Sequence, residues 1–264
     1  MSQAEVQHDL GNRQAGVPWL TDHLRLTLFP AGPYGLQDAS NWFRTAAGEE
    51  SESRTERRGR VLDEIGAATG SPEFRLTLHC EPPGRIDWRL LHAGPEFAFD
   101  RPGDDLDSNL ESFVGAMRTW LSSAAIPPIR RLAFGAVLLS PVPNLRNGHE
   151  LVLNMVPVLR LSADEDVADL LFQINRPRSS ATIEELRLNR LSKWSVTTVQ
   201  VLALALADGG FKMKEPEHGL AARLELDINS DARRADEIPP FRLADLFDEC
   251  AQLGRDIARS GDQG

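Results

Sequence analysis

Phe74-Arg-Leu-Thr-Leu-His-Cys80, Glu81-Pro-Pro-Gly84 and Ile86-Asp-Trp-Arg-Leu90 form the stretch on which the fold turns. Apolar residues take every second position on both sides of a Pro-Pro-Gly break, the pattern of two half-buried strands joined by a turn. A loop rich in Pro, Gly and Asp follows. Leu106, Leu110, Phe113, Met117 and Leu121 then recur at helical spacing. Asp104, Asp105 and Asp107 stand at the start of that helix, where the macrodipole favours negative charge.

The same order returns near the other end. Residues 194–206 and 221–228 alternate as a second strand pair, and Leu243, Leu246, Phe247, Cys250, Leu253 and Ile257 mark the cleanest helix, entered through Pro239-Pro240. Ile126-Pro-Pro128 breaks the chain between the two runs. The expected fold is α+β, with antiparallel sheets and helices packed on one face, built as two similar βαββα halves. The halves would cover 18–126 and 127–264, behind a mobile arm at 1–17.

The remaining elements read less clearly. Leu24 to Phe29 alternates as a strand, and Leu36, Ala39, Phe43 and Ala46 are spaced for a short helix. Glu49 to Arg60 interleaves four glutamates with four arginines, as a solvated helix or linker does. Val61, Leu62, Ile65 and Ala68 resume a helical stripe. Residues 131–139 and 150–161 read as strands and 181–191 as a helix. Ser162-x-x-Glu165 fits a capping box, which would make 163–173 helical, but the alternation of Leu170, Phe172 and Ile174 favours a strand.

Composition narrows the function classes. The 264 residues are 41% hydrophobic and 26% charged, ordinary values for a globular protein. No apolar run approaches the ~20 residues that span a bilayer, so no membrane association is expected. Met1 to Gly16 is polar and lacks the basic flank and apolar block of a secretory signal, which makes the cytoplasm the expected address. The formal net charge of −10 opposes bulk binding to a phosphate backbone. Lysine occurs only at Lys193, Lys212 and Lys214 among 29 basic residues, so most cations are forked guanidiniums suited to carboxylates and phosphates.

Motifs for catalysis or cofactors are missing. There is no GxxxxGK[ST], no GxGxxG after a strand and no GxSxG, and Gly209-Gly210 reads as a loop between strands. His79 and Cys80 are adjacent on a strand and point to opposite faces, which argues against a nucleophile–base pair. Cys80 and Cys250 read as buried thiols. The six histidines are dispersed, and the Asp105-x-Asp107-x-Asn109-x-Glu111 run has Leu110 where a calcium loop needs glycine. No metal and no cofactor is expected. Asp87 and Asp227 occupy similar places in the two strand pairs, and charge pairing with Arg85, Arg89 and Arg223 is the plainer account of both.

One polar segment stands out in this acidic chain. Ile174-Asn-Arg-Pro-Arg-Ser-Ser180 and Leu188-Asn-Arg-Leu-Ser-Lys-Trp194 repeat Asn-Arg fourteen residues apart, each time after an aliphatic residue. Asn175, Arg176, Arg178, Asn189, Arg190 and Lys193 are therefore the candidate partner- or anion-binding residues. The competing reading is an exposed loop solvated by its arginines.

Arg223-Leu-Glu-Leu-Asp-Ile-Asn229, the closing helix from Phe241 to Ala258 and the Gly-Asp end at Asp262 resemble a sporadically distributed, uncharacterised bacterial family of about 250 residues. The likeness covers the last third and is one of layout. It implies an accessory gene in a mobile or defence-related locus, and no functional residue carries over. The expected function is a non-enzymatic protein-binding or assembly protein with a protein partner, self-association being compatible with it. The alternative is a binder of a phosphate ligand or nucleic-acid end through 175–193.

Overall fold

In chain order the strands and helices of the computed structural model are β1 (Leu20–Pro30), α1 (Trp42–Ala47), β2 (Ser53–Arg57), β3 (Val61–Ala67), β4 (Phe74–Glu81), β5 (Arg85–His92), α2 (Leu106–Leu121), β6 (Ile129–Val142), α3 (Leu145–Met155), β7 (Leu171–Asn175), β8 (Arg178–Ser179), β9 (Arg187–Val201), β10 (Leu204–Ala207), β11 (Gly210–Met213), β12 (Glu217–Ser230) and α4 (Leu243–Ser260). The structure describes residues 17–70, 73–93, 105–123, 126–161, 167–201, 204–207, 210–213, 217–233 and 236–263. Residues 1–16 of the arm expected at 1–17, and the acidic turn at 164–166, lie outside them.

All pairings are antiparallel, and the large sheet runs β2-β3-β4-β5-β1-β6-β12-β9-β7, with β8 also on β9. This is the expected α+β fold. The first strand of each run, β1 and β6, meets its counterpart at the centre. From β1 the order outward is β5, β4, β3, β2, and from β6 it is β12, β9, β7. A helix follows the first strand and another follows the last in both runs, but the described strands number five in the first run and seven in the second, against three in a βαββα unit.

Period two builds the core. Leu24, Leu26 and Leu28 of β1 lie level with Leu90, Trp88 and Ile86 of β5 and with Ala136, Phe134 and Leu132 of β6, all buried. The helices pack on that face. Trp120 of α2 meets Trp42 and Trp88 edge-on, and Phe247 of α4 meets Phe113 and Phe134. Gly254 is required where α4 crosses β6, because a Cβ there would lie 2.6 Å from the Phe134 ring. Each large side chain buried here is worth roughly 1.5–3 kcal/mol.

Four segments depart from the sequence expectation. Residues 53–57 form the edge strand β2 rather than a helix or linker. Residues 61–67 form β3, not a helix: its buried positions are Leu62, Glu64 and Gly66, and an acid in the inward register hides the alternation. Glu64 tolerates that place because Arg54 and Ser51 reach its carboxylate. Residues 145–155 form α3, which takes the first part of the strand expected over 150–161; it is started by the Asn144 side chain, which accepts from Asn147 N. Gly148, His149, Val152 and Met155 are its buried face, at helical spacing. Residues 181–186 are turn-like and lead into β9, where a helix was expected. The Glu249 carboxylate of α4 draws this loop in, accepting from Ser180 Oγ at 2.6 Å and Ala181 N at 2.7 Å. The short helix expected over 36–46 is confined to α1, behind a run of turns.

Candidate functional site on the uncovered sheet face

All the described helices lie on one side of the sheet, so the side chains at alternate positions face away from them. Antiparallel register arranges these into rows. The middle row runs Thr77, Arg89, Arg25, Gly135, Asp227 and Leu191 across β4, β5, β1, β6, β12 and β9. A second row runs His79, Asp87, Thr27, Ala133, Asn229 and Asn189 over the same strands. The third includes His23, Val137, Glu225 and Lys193. The face is polar but not flat: Asp87, Thr27, Val137 and Asn229 are buried although no described helix covers them.

Most charges on this face are matched. Asp87, 1% exposed, accepts from Thr27 Oγ1 at 2.5 Å and lies 2.7 Å from Arg85 Nε. His79 Nδ1 is 2.6 Å from Asp63, which Arg57 also contacts. Burial alone would raise the Asp63 carboxyl, but these two hydrogen bonds outweigh it and hold it below its ordinary value. Lys193 and Arg223 converge on Glu225, and Asp227 accepts from Asn229. Of the charge pairs expected from sequence, Arg85 with Asp87 is present, Arg223 goes to Glu225, and Arg89 has no ion pair among the described residues.

Arg25 and Arg89 are the exception. They are directly opposite in the β1–β5 register. Both Nε atoms are buried without a hydrogen-bond partner, and no ion pair joins either guanidinium to a described carboxylate. Arg25 leans over β6, where a Cβ at position 135 would meet its Nε at 3.2 Å, so Gly135 leaves the room it occupies. Arg25 lines a depression of about 360 Å³ with Gly135, Asp227 and Lys193. Arg89 lines another, about 470 Å³, with Thr77 and His79. Neither arginine was singled out as a site residue from sequence. Each is an ordinary polar position of an alternating strand, and their placement opposite each other depends on β1 pairing with β5 across three intervening strands and a helix.

The sequence-derived residues divide between the faces. Asn175 Nδ2 donates to Asn189 Oδ1, and Asn189 Nδ2 donates to Asn229, forming an amide ladder on the uncovered face. Lys193 joins them there. Arg176 and Arg190 instead lie on the helix side. Arg176 Nε is 2.7 Å from Asp262, which is 2% exposed, and Ser192 Oγ donates to the same carboxylate. The Arg190 Nε is buried without a hydrogen-bond partner. Arg178 is exposed on β8, its Nε 3.3 Å from the Ser179 carbonyl oxygen. The Asn-Arg repeat at fourteen-residue spacing is thus a strand-pairing feature: Asn175 meets Asn189, and Arg176 N donates to Arg190 O.

The acids of the calcium-like run are also accounted for. Asp105 caps α2, and Asp107 and Glu111 bind Arg255. Among the described residues no group of three His, Cys, Asp or Glu is placed to hold a metal ion, and no helix is long and apolar enough to cross a membrane. Comparison with protein-family models and with curated proteins found no match.

Proposed function

We propose that the chain is a non-enzymatic binding or assembly protein that receives a protein partner on the uncovered face of its sheet. The observation that carries this reading is the Arg25–Arg89 pair. Like charges set directly opposite on neighbouring strands destabilise a sheet, and buried donors without partners add to that cost. An isolated sheet gains nothing from such a pair, whereas a partner bringing acceptors to the guanidinium nitrogens other than the buried Nε would use both arginines. The mixture of signs around them suits a protein surface of mixed charge.

The alternative, an anion or nucleic-acid end held by 175–193, has one observation in its favour, the exposed Arg178 guanidinium. The other cations of that segment are divided between the two faces, which favours the first reading.

Position-specific photo-crosslinking in the native host tests it. A crosslinker at Thr77 or Ser195, both on the uncovered face, should capture the same polypeptide. One at Gln252, exposed on α4, should not. Capture from Gln252 alone would move the binding surface to the helices.

A further inference from the structure

We infer that Arg25 and Arg89 anchor an acidic segment of that partner, each guanidinium taking one carboxylate through its two forked N–H groups. This rests on the binding role proposed above and names the chemistry of its contact. The two side chains open into separate depressions, Arg25 over Gly135 and Arg89 beside Thr77, so the occupant spans two anchor points. Spaced carboxylates of an extended peptide meet that requirement. The planar fork matches carboxylate geometry, and such charge-assisted contacts are stronger than neutral ones.

The acids nearby do not compete for the role. Asp87 is held by Thr27 and Arg85, Glu225 by Lys193 and Arg223, and Asp227 by Asn229. They do discriminate between ligands. A continuous phosphate backbone laid along the middle row would run against Asp227 and past Asp87 and Glu225, whereas a peptide can place its acids only where the arginines are.

The experiment uses the full chain, Arg25→Gln, Arg89→Gln and the double variant. Its probes are an extended peptide of about ten alternating Glu and Ser residues, a single-stranded oligonucleotide of similar length, and inorganic phosphate. Each single variant should melt at or slightly above the wild-type temperature at low salt, because one of two like charges at paired strand positions is removed. The Glu-Ser peptide should bind the wild type, more weakly at high salt, and the double variant should lose about tenfold or more in affinity. A variant that melts well below wild type makes the arginines structural and overturns the inference. Equal peptide binding by wild type and double variant also overturns it, while leaving the uncovered face open to crosslinking. Absence of peptide binding, or tighter binding of the oligonucleotide or of phosphate, assigns the pair to other chemistry or to none.

Discussion

Arg25 and Arg89 face each other across the β1–β5 ladder without a carboxylate between them, on the side of the sheet that the described helices leave bare. Every neighbouring acid on that side already has a donor. The sheet thus holds an excess of positive charge at its centre, within a chain of net negative charge.

Gly135→Ala should separate binding from folding. The added Cβ meets only the flexible end of Arg25, at 3.2 Å, so the side chain can swing aside with little loss of stability. Its new position no longer lies over β6. Crosslinking yield from Ser195 should fall while the melting temperature stays within a few degrees of wild type. Unchanged yield would show that the pose of Arg25 is immaterial.

Asp262 is expected to hold α4 against β9. Its buried carboxylate takes Ser192 and Arg176, and its backbone N–H donates to Met155 O. Asp262→Ala leaves both side chains without their acceptor and should cost roughly 2–3 kcal/mol, at the low side for a buried pair because Arg176 is partly exposed. Thermal denaturation should shift by roughly 5–10 °C for a chain of this size. Ser192→Ala should cost about 1 kcal/mol. A shift below 1 °C for Asp262→Ala would mean that the clamp does not hold in solution.

Acid should weaken the fold. For Glu249, burial pushes the carboxyl up, but donors from Ala181, Ser180 and Thr182 together bring it below its ordinary value. Asp107 behaves likewise, with Arg259 and Arg255 overcoming burial. A depressed folded pKa means stability that is complete above the unfolded value, about 4, and lost as pH falls through the folded one. Asp248 runs the other way, raised by burial despite Arg118. Melting temperature should hold from neutral pH to about pH 5 and then decline, less steeply in Glu249→Gln. An identical acid slope in that variant would remove Glu249 from the account.

The two thiols should be inert in the native state. Cys80 and Cys250 are fully buried. Burial pushes both well above the ordinary thiol value, with Glu64 and Asp87 adding to the effect at Cys80 and Glu249 and Asp227 at Cys250. A thiol reagent near pH 8 should label neither until the chain unfolds. Fast native labelling would place one of the two outside the core.

Much of this architecture is legible in the sequence where one rule acts alone. The alternation of 74–80 and 86–90 and the helical stripes of 106–121 and 243–257 place their elements correctly, because each buries a continuous apolar face. Reading failed where a polar group was buried or a tertiary contact intervened. Glu64 in the inward register disguised β3, the Leu-Val-Leu run at 151–153 disguised α3, and the Glu249 carboxylate fixed 180–182 as a loop. The Asn-Arg repeat was visible, but its cause, a ladder between β7 and β9, was not. The Arg25–Arg89 juxtaposition lies beyond local pattern altogether, since it pairs strands separated in the chain by α1 and three other strands.

The most direct test is the affinity between the full chain and the polypeptide captured by crosslinking from Thr77 and Ser195, compared for wild type and the Arg25→Gln, Arg89→Gln double variant at low and high salt. The account predicts a loss of about tenfold or more in the double variant, with a correspondingly weaker salt dependence, and no loss in an Arg178→Gln control. Equal affinity for wild type and double variant, with the same response to salt, would contradict it.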